Sequence, residues 1–509
     1  MPIPTDIVLQ DLTFYYEGAE SPLFRHLSLS FRPGFTGIIG ANGAGKTTLL
    51  RLVSGQLKPT GGAILGGQNT VYCEQRTDEP PVALPEFLED YTSEAHLLRQ
   101  KLAIDLDFGL RWHLLSHGER KRTQIATALW QAPNVLALDE PTNHIDADAR
   151  QLLVDALDGF RGIGLLVSHD RALLDRLCES CLWLEPPDAR AFAGGFTEAS
   201  RAREEQQRAA VHERQRASRA FTKLRKETGV RRDKANRANQ ERSKRGLAPK
   251  DADGRSKIDL ARASGKDGQA GRLLRQLDGR LSRLKETLDA SAVPKTWETG
   301  IWLEGEASRR NRVLHVPDGD ILAGTQRLGF PTLSVQPTDR IAITGPNGAG
   351  KTTLLNHLLQ FASISPDRLL FIPQEIAATD ARQLIDEIRR LQKEQLGQVL
   401  TLVSRLGSRP ERLLETVTPS PGETRKLMLA LGMLRVPHLI VMDEPTNHMD
   451  LASILALETA LSDCPCALLL VSHDTDFLQA LALINWHINV ISPGYCELSI
   501  NSWHRPQTS

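Results

Sequence analysis

No uninterrupted apolar run in the 509-residue chain approaches the roughly 20 residues needed to cross a bilayer, so no membrane-spanning segment is expected. The opening MPIPTDIVLQDL has no basic stretch followed by an apolar one. No secretory leader is expected there, and the protein is expected to be cytoplasmic. Cysteine is scarce: Cys73, Cys178, Cys181, Cys464, Cys466 and Cys496 are the six. The two close pairs, Cys178/Cys181 and Cys464/Cys466, lie 283 residues apart, so buried or free thiols are expected rather than a four-ligand zinc site. Net charge is missing too, because 62 Lys+Arg balance 62 Asp+Glu. Spread evenly, that balance would argue against a polyanionic partner. It is not spread evenly. Residues 201–290 hold 26 basic and 13 acidic side chains, and the remainder holds 36 and 49. A basic middle between acidic flanks points to nucleic acid or a membrane surface as a partner. Phe221 is the only aromatic residue in that middle, so no base-stacking platform is expected in it.

What is present is a repeat. GANGAGKTT spans 40–48 and GPNGAGKTT spans 345–353. VLALDEPTNHID ends at Asp146 and LIVMDEPTNHMD at Asp450, and each copy follows with VSHD. The offsets are 305, 304 and 304 residues, from Lys46 to Lys351, Asp139 to Asp443 and His169 to His473. Three motifs in order at one offset mark a tandem duplication. Each copy alternates short apolar runs with helical patterns, as buried parallel strands in an α/β fold do.

G-x-x-x-x-G-K-T is specific when a strand precedes it and a helix follows. Both copies meet that condition. Gly40, Asn42, Gly43 and Gly45, and Gly345, Asn347, Gly348 and Gly350, would turn backbone N–H groups inward around phosphate oxygens. Lys46 and Lys351 would reach the β- and γ-phosphates, with Thr48 and Thr353 beside them. Thr47 and Thr352 would hold Mg²⁺ together with Asp139 and Asp443, which end apolar strands. Glu140 and Glu444 come next and are placed to orient or deprotonate the attacking water. His169 and His473 follow the neighbouring strands, at the edge where ligands collect in open α/β sheets. LLSHGERKR and TPSPGETRKL place Ser116 and Ser420 each 23 residues before the aspartate. With Gly118 and Gly422 they would offer a hydroxyl and exposed N–H groups to an anion at a helix start.

These motifs resemble those of the ATP-binding cassette (ABC) ATPases, whose signature typically reads LSGGQ. His117 and Pro421 stand where that pattern has glycine. The resemblance implies ATP held between the P-loop of one cassette and the signature of the other, Lys46 facing Ser420 and Lys351 facing Ser116. It assigns Gln75 and Gln374 to sensing Mg²⁺ and the γ-phosphate, and Asp146 and Asp450 to the cross-interface loop. It places an adenine-stacking aromatic at Tyr16, 24 residues before Gly40; the same offset before Gly345 gives Ile321. The second site is therefore expected to lack its stacking residue, Phe330 being the nearer aromatic.

Between the copies, Leu274, Leu277, Leu281, Leu284 and Leu288 recur at 3-4-3-4 spacing. Ala210, Ala217, Phe221 and Leu224 form a partner seam, with Arg214 at one expected apolar position. Two antiparallel helices of about 40 residues, roughly 60 Å long, are expected. The tip, 231–250, carries eight basic and two acidic residues and suits phosphate and shape recognition of structured RNA. The expected layout is an ABC domain at 1–198, a basic helical coiled-coil hairpin linker at 199–297 and a second ABC domain at 298–509. It resembles the ABC-F subfamily, which implies a cytosolic ATPase bound to the ribosome with its linker near rRNA and peptidyl-tRNA, regulating translation or protecting against ribosome-targeting antibiotics. A monomer with intramolecular cassette pairing is expected. The first copy has only 41 residues from Gln75 to Ser116, against 46 from Gln374 to Ser420, so it carries no arm insertion. The alternatives are a fused double cassette serving a membrane transporter, a nucleic-acid repair ATPase, and a nucleotide-gated ribosome clamp with negligible turnover.

Overall fold

The computed structural model describes residues 6–19, 21–143, 145, 147–241, 266–290, 305–324, 326–408 and 419–503. Asp146, Arg242 and Arg245 lie outside them, as do the side chains of Arg237 and Leu274. Met1–Ala199 and Glu298–Ser509 form one compact unit, and Ser200–Trp297 forms another.

The first cassette is built on a six-stranded sheet. From edge to edge it runs Thr70–Cys73, Val135–Asp139, Ile163–Val167, Gly34–Gly40, Cys178–Glu185 and Asp188–Ala193, parallel except for the last pair. VLALD and IGLLV are buried at every position, because helices cover one face and a second sheet covers the other. That second sheet is antiparallel, in the order Phe24–Phe31, Ile7–Phe14, Gly61–Leu65. The second cassette repeats the parallel core as Leu369–Ile372, Leu439–Asp443, Ala467–Val471, Arg340–Thr344 and Ile484–Ser492. It then departs from the first. Tyr495–Ser502 is joined in parallel by Gln326–Phe330, whose hairpin partner Gly319–Ala323 closes an eight-stranded sheet.

Adjacent parallel strands bring the motif residues to one edge. Asp139 is level with Val167, and Asp443 with Val471, so each carboxylate stands beside the loop that carries its histidine.

The other unit carries the expected pair of helices. Phe196–Glu241 is 46 residues, about 70 Å at 1.5 Å per residue, and Lys266–Ala290 is 25. The first exceeds the expected 40 or so and the second falls short of it; the first starts at Phe196, whose ring lies 6.0 Å from that of Trp183 in the first cassette core. Ala217, Phe221 and Leu224 are half-buried and Thr228 is buried, continuing the seam, while Arg214 is exposed. On the second helix Leu277 is buried, and Leu281, Leu284 and Leu288 are half-buried. The guanidinium of Arg232 donates to both oxygens of Asp278, at 3.0 and 3.1 Å.

Candidate functional site

Each P-loop depends on a glycine at the helix start. Gly45 and Gly350 have φ of 92° and 96°, left-handed values that a side chain resists. A Cβ on Gly45 would also stand 2.8 Å from Leu23 and Phe24. The loops curl around their lysines. Lys46 Nζ donates to the carbonyls of Gly40 (2.8 Å) and Ala41 (3.3 Å), and Lys351 Nζ to those of Gly345 (2.8 Å) and Pro346 (3.0 Å). Burial lowers the Lys46 pKa, against the pull of Glu140, Asp450 and Asp139.

Thr47 donates to Asp139 at 2.8 Å, and Thr352 to Asp443 at 2.7 Å. A hydroxyl and a carboxylate at each site are the hard oxygen donors that Mg²⁺ takes. Asp443 Oδ1 fits that use further, being buried with no hydrogen-bond partner. After each aspartate the chain turns sharply. Glu140 and Glu444 sit at φ 47° and 49°, conformations that cost energy outside glycine and cluster at functional sites. Burial pushes both carboxyls up to about 8. His169 Nε2 lies 3.2 Å from Glu140 Oε1, and His473 Nε2 lies 3.5 Å from Glu444 Oε1. Burial, then Lys46, lowers His169 to about 3, so its imidazole is neutral.

Around the first P-loop, Tyr16, Asn42, Gly43, Gly45, Lys46, Thr47, Thr48, Gln75, Asp139, Glu140 and His169 line one cavity of about 450 Å³. Its far wall is Thr446, His448 and Met449 of the second cassette. Asn42 fastens that wall. Its backbone N–H donates to Asp450 Oδ2 at 2.9 Å, and its side-chain amide donates to the His448 carbonyl at 3.0 Å. Leu451 and Leu455, just beyond, pack into the first cassette core, and Arg171 meets Glu458 at 2.5 Å. Ser420 and Gly422 do not line the cavity. Gly422 stands directly behind the wall, where a Cβ would lie 2.4 Å from the His448 oxygen.

Residues 24–143 and 330–447 match the ABC transporter family. The chain is 30% identical over 479 residues to the ribosome protection protein VmlR of Bacillus subtilis (strain 168), covering 91% of this chain and 83% of that one. It is 29% identical over 527 residues to the energy-dependent translational throttle protein EttA of Mycobacterium tuberculosis (strain ATCC 25618 / H37Rv), covering 89% and 86%. A crystal structure of archaeal ribosome recycling factor aABCE1 with ribosomal stalk protein aP1 superposes with a TM-score of 0.60 at 19% identity, covering 96% and 89%, a likeness of fold. The chain belongs to the ABC-F subfamily of ATP-binding cassette ATPases.

The two ABC-F cassettes differ at the positions expected to meet the base. Tyr16 lies at the first cavity, its hydroxyl 2.7 Å from Thr48 Oγ1. In the second copy Ile321 is half-buried against the apolar core. Phe330 is buried within that core, its ring 5.7 Å from His357. A second asymmetry escaped the motif reading. Tyr72 donates to Asp139 at 3.1 Å, and three residues before Gln374 the corresponding residue is Phe371, which has no hydroxyl.

The signature helices, His117–Trp130 and Pro421–Met433, start alike. Ser116 and Ser420 each accept from the N–H of Glu119 and Glu423 at 3.3 Å, and each donates its own N–H and hydroxyl back to that carboxylate. The S-x-x-E spacing could have announced this capping box. The serine hydroxyls that were expected to meet an anion thus bond the glutamates of their own helices. Also unforeseen was a buried cation five residues after each serine, Lys121 and Arg425, recognisable only as a basic residue at one place in both copies.

Among the described residues no helix is long and apolar enough to cross a membrane. All six cysteines are free and buried.

Proposed function

We propose that this ABC-F chain hydrolyses ATP in the cytoplasm, and that it acts on the ribosome, with its basic linker near rRNA and peptidyl-tRNA, to regulate translation or protect against ribosome-targeting antibiotics. The observation that carries the reading is the first P-loop closed by the second cassette through Asn42, His448 and Asp450. Such closure makes the paired cassettes one nucleotide-dependent clamp. Relatives named for ribosome protection and for throttling translation supply the setting.

In this reading Lys46 and Lys351 exchange their loop carbonyls for phosphate oxygens, and Tyr16 stacks on the base at the first site. Thr47 with Asp139, and Thr352 with Asp443, would hold Mg²⁺, with Gln75 and Gln374 beside it; bound there it would neutralise charge on the β- and γ-phosphates. Glu140 and Glu444, once ionised, accept a proton from the attacking water. Lys46 favours that ionised form at the first site, against the desolvation that opposes it. His169, neutral, and His473 fix their glutamates and can donate toward the γ-phosphate. Ser420 with Gly422, and Ser116 with Gly118, complete the opposite faces when their helix starts turn to the nucleotide.

The test is the double variant Glu140→Gln/Glu444→Gln. It should keep ATP affinity, lose at least 100-fold in hydrolysis, and accumulate with 70S ribosomes on a sucrose gradient in ATP. Accumulation on membranes, or no ribosome shift, would overturn the reading.

A further inference from the structure

Arg425 lies in the signature helix of the second cassette and is only 3% exposed. Its guanidinium donates to two backbone carbonyls, that of Gln374 and that of Asn447. These acceptors belong to different sites. Gln374 follows strand Leu369–Ile372 in the cassette of the second P-loop. Asn447 lies between Thr446 and His448, both in the wall of the first site. One residue further, the His448 carbonyl takes the Asn42 amide at 3.0 Å, and Asp450 takes the Asn42 N–H at 2.9 Å. A continuous path therefore runs from Gln374 through Arg425 and Asn447 to the first P-loop. A planar guanidinium fixes two carbonyls relative to each other, which a lysine ammonium does less rigidly.

The first cassette is built differently at this place. Lys121 is fully buried and donates to the Glu74 carbonyl at 2.6 Å, with the Gln75 and Asp139 carbonyls each at 3.4 Å. Its contacts tie the signature helix to the glutamine loop and the aspartate strand of its own cassette.

We infer that Arg425 is a positioning residue that couples the two nucleotide sites, linking occupancy at the second P-loop to the loop that closes the first. The inference rests on the proposed ATP binding and goes beyond it. A shift of the Gln374 backbone around nucleotide moves one end of the guanidinium fork, and Asn447 is held by the other. By linkage, nucleotide at the first site tightens the second by the same factor.

The experiment uses the full chain carrying Glu140→Gln and Glu444→Gln, so that turnover does not blur binding. 8-Azido-ATP is titrated, and labelling of first-cassette peptides is read by mass spectrometry. Lys351→Ala, which empties the second site, should weaken first-site labelling about fivefold or more. Adding Arg425→Gln should remove that dependence, leaving less than about a twofold difference with and without Lys351→Ala. Arg425→Lys keeps the charge without the fork and should leave an intermediate response; it also carries the test if Arg425→Gln melts early. A full response to Lys351→Ala in both Arg425 variants overturns the coupling role, and so does no response in the parent. A parent that takes no label at all overturns the proposed ATP binding, and is told apart because it is seen before any coupling is measured.

Discussion

Single atoms separate two sites that share nearly all their motif residues. At the first, the Tyr16 ring has an edge-on contact with Phe14, centroids 5.1 Å apart, and its hydroxyl meets Thr48 at 2.7 Å. A ring held at both ends is a ready platform for a base, and aromatic pairs contribute about 0.5–1.5 kcal/mol beyond their area. Tyr16→Ala should therefore weaken ATP at the first site by roughly 3- to 10-fold, and Tyr16→Phe by no more than about twofold, measured by equilibrium binding with Lys351→Ala silencing the other site. Ile321 offers no ring at the second site, and Phe330 is committed to the core beside His357. With Lys46→Ala silencing the first site, binding at the second should discriminate ATP from GTP less than the first does. Equal base selectivity at both sites would refute that. The carboxylates carry the other difference. Asp139 receives two hydroxyls, from Thr47 and Tyr72, whereas Asp443 receives one, from Thr352.

At the scale of elements, the two signature helices look interchangeable and are not. Both begin with a serine–glutamate capping box, a device that contributes about 1 kcal/mol. Their glycines face different neighbours. A Cβ on Gly422 would meet the His448 oxygen at 2.4 Å, while one on Gly118 would meet Ile145 at 3.6 Å, ordinary contact. The crowding falls on a backbone carbonyl that Asn42 also uses, so it cannot be relieved by turning a side chain. Gly422→Ala should cost about 1–3 kcal/mol and push the wall off the first P-loop. Thermal melts and first-site ATP affinity should both fall, and Gly118→Ala should leave both within about twofold or 1 °C. The same comparison shows what sequence can and cannot carry. VLALD, IGLLV, LIVMD and ALLLV read as buried parallel strands because both faces of each are covered, and the glycines, lysines and carboxylates at their ends follow from strand order. Arg425 did not read as anything, because its partners are carbonyls, which every residue has. Neither could the Phe196 start of the long helix be read, since its contacts there are with Trp183 and Asp175, upstream of where the charge changes.

At the scale of the whole molecule, zero formal charge describes no part of it. The surplus of basic residues lies in 201–290, and 49 acidic against 36 basic residues lie elsewhere. The described helices of that segment are mostly exposed, and their seam is narrow: Ala217, Phe221, Leu224 and Thr228 on one, Leu277, Leu281, Leu284 and Leu288 on the other. The described charged side chains on the remaining faces are mostly exposed. Arg232 spends one guanidinium on Asp278, and Arg231 one on Glu227, both pairs largely exposed and worth about 0–1 kcal/mol each. Those arginines can therefore turn to phosphates at little expense. If the segment grips RNA, ribosome affinity must fall steeply with salt, because each phosphate contact releases condensed counterions. Changing Arg231, Arg232, Arg237, Arg242 and Arg245 to Gln should lower ribosome affinity at least tenfold at about 0.1 M salt and flatten the salt dependence by up to about five contacts. ATP binding, measured on the free protein, should stay as it was, since none of the five is a P-loop, signature or carboxylate residue. A variant that keeps the parent's salt slope would show that these five arginines do not make the phosphate contacts.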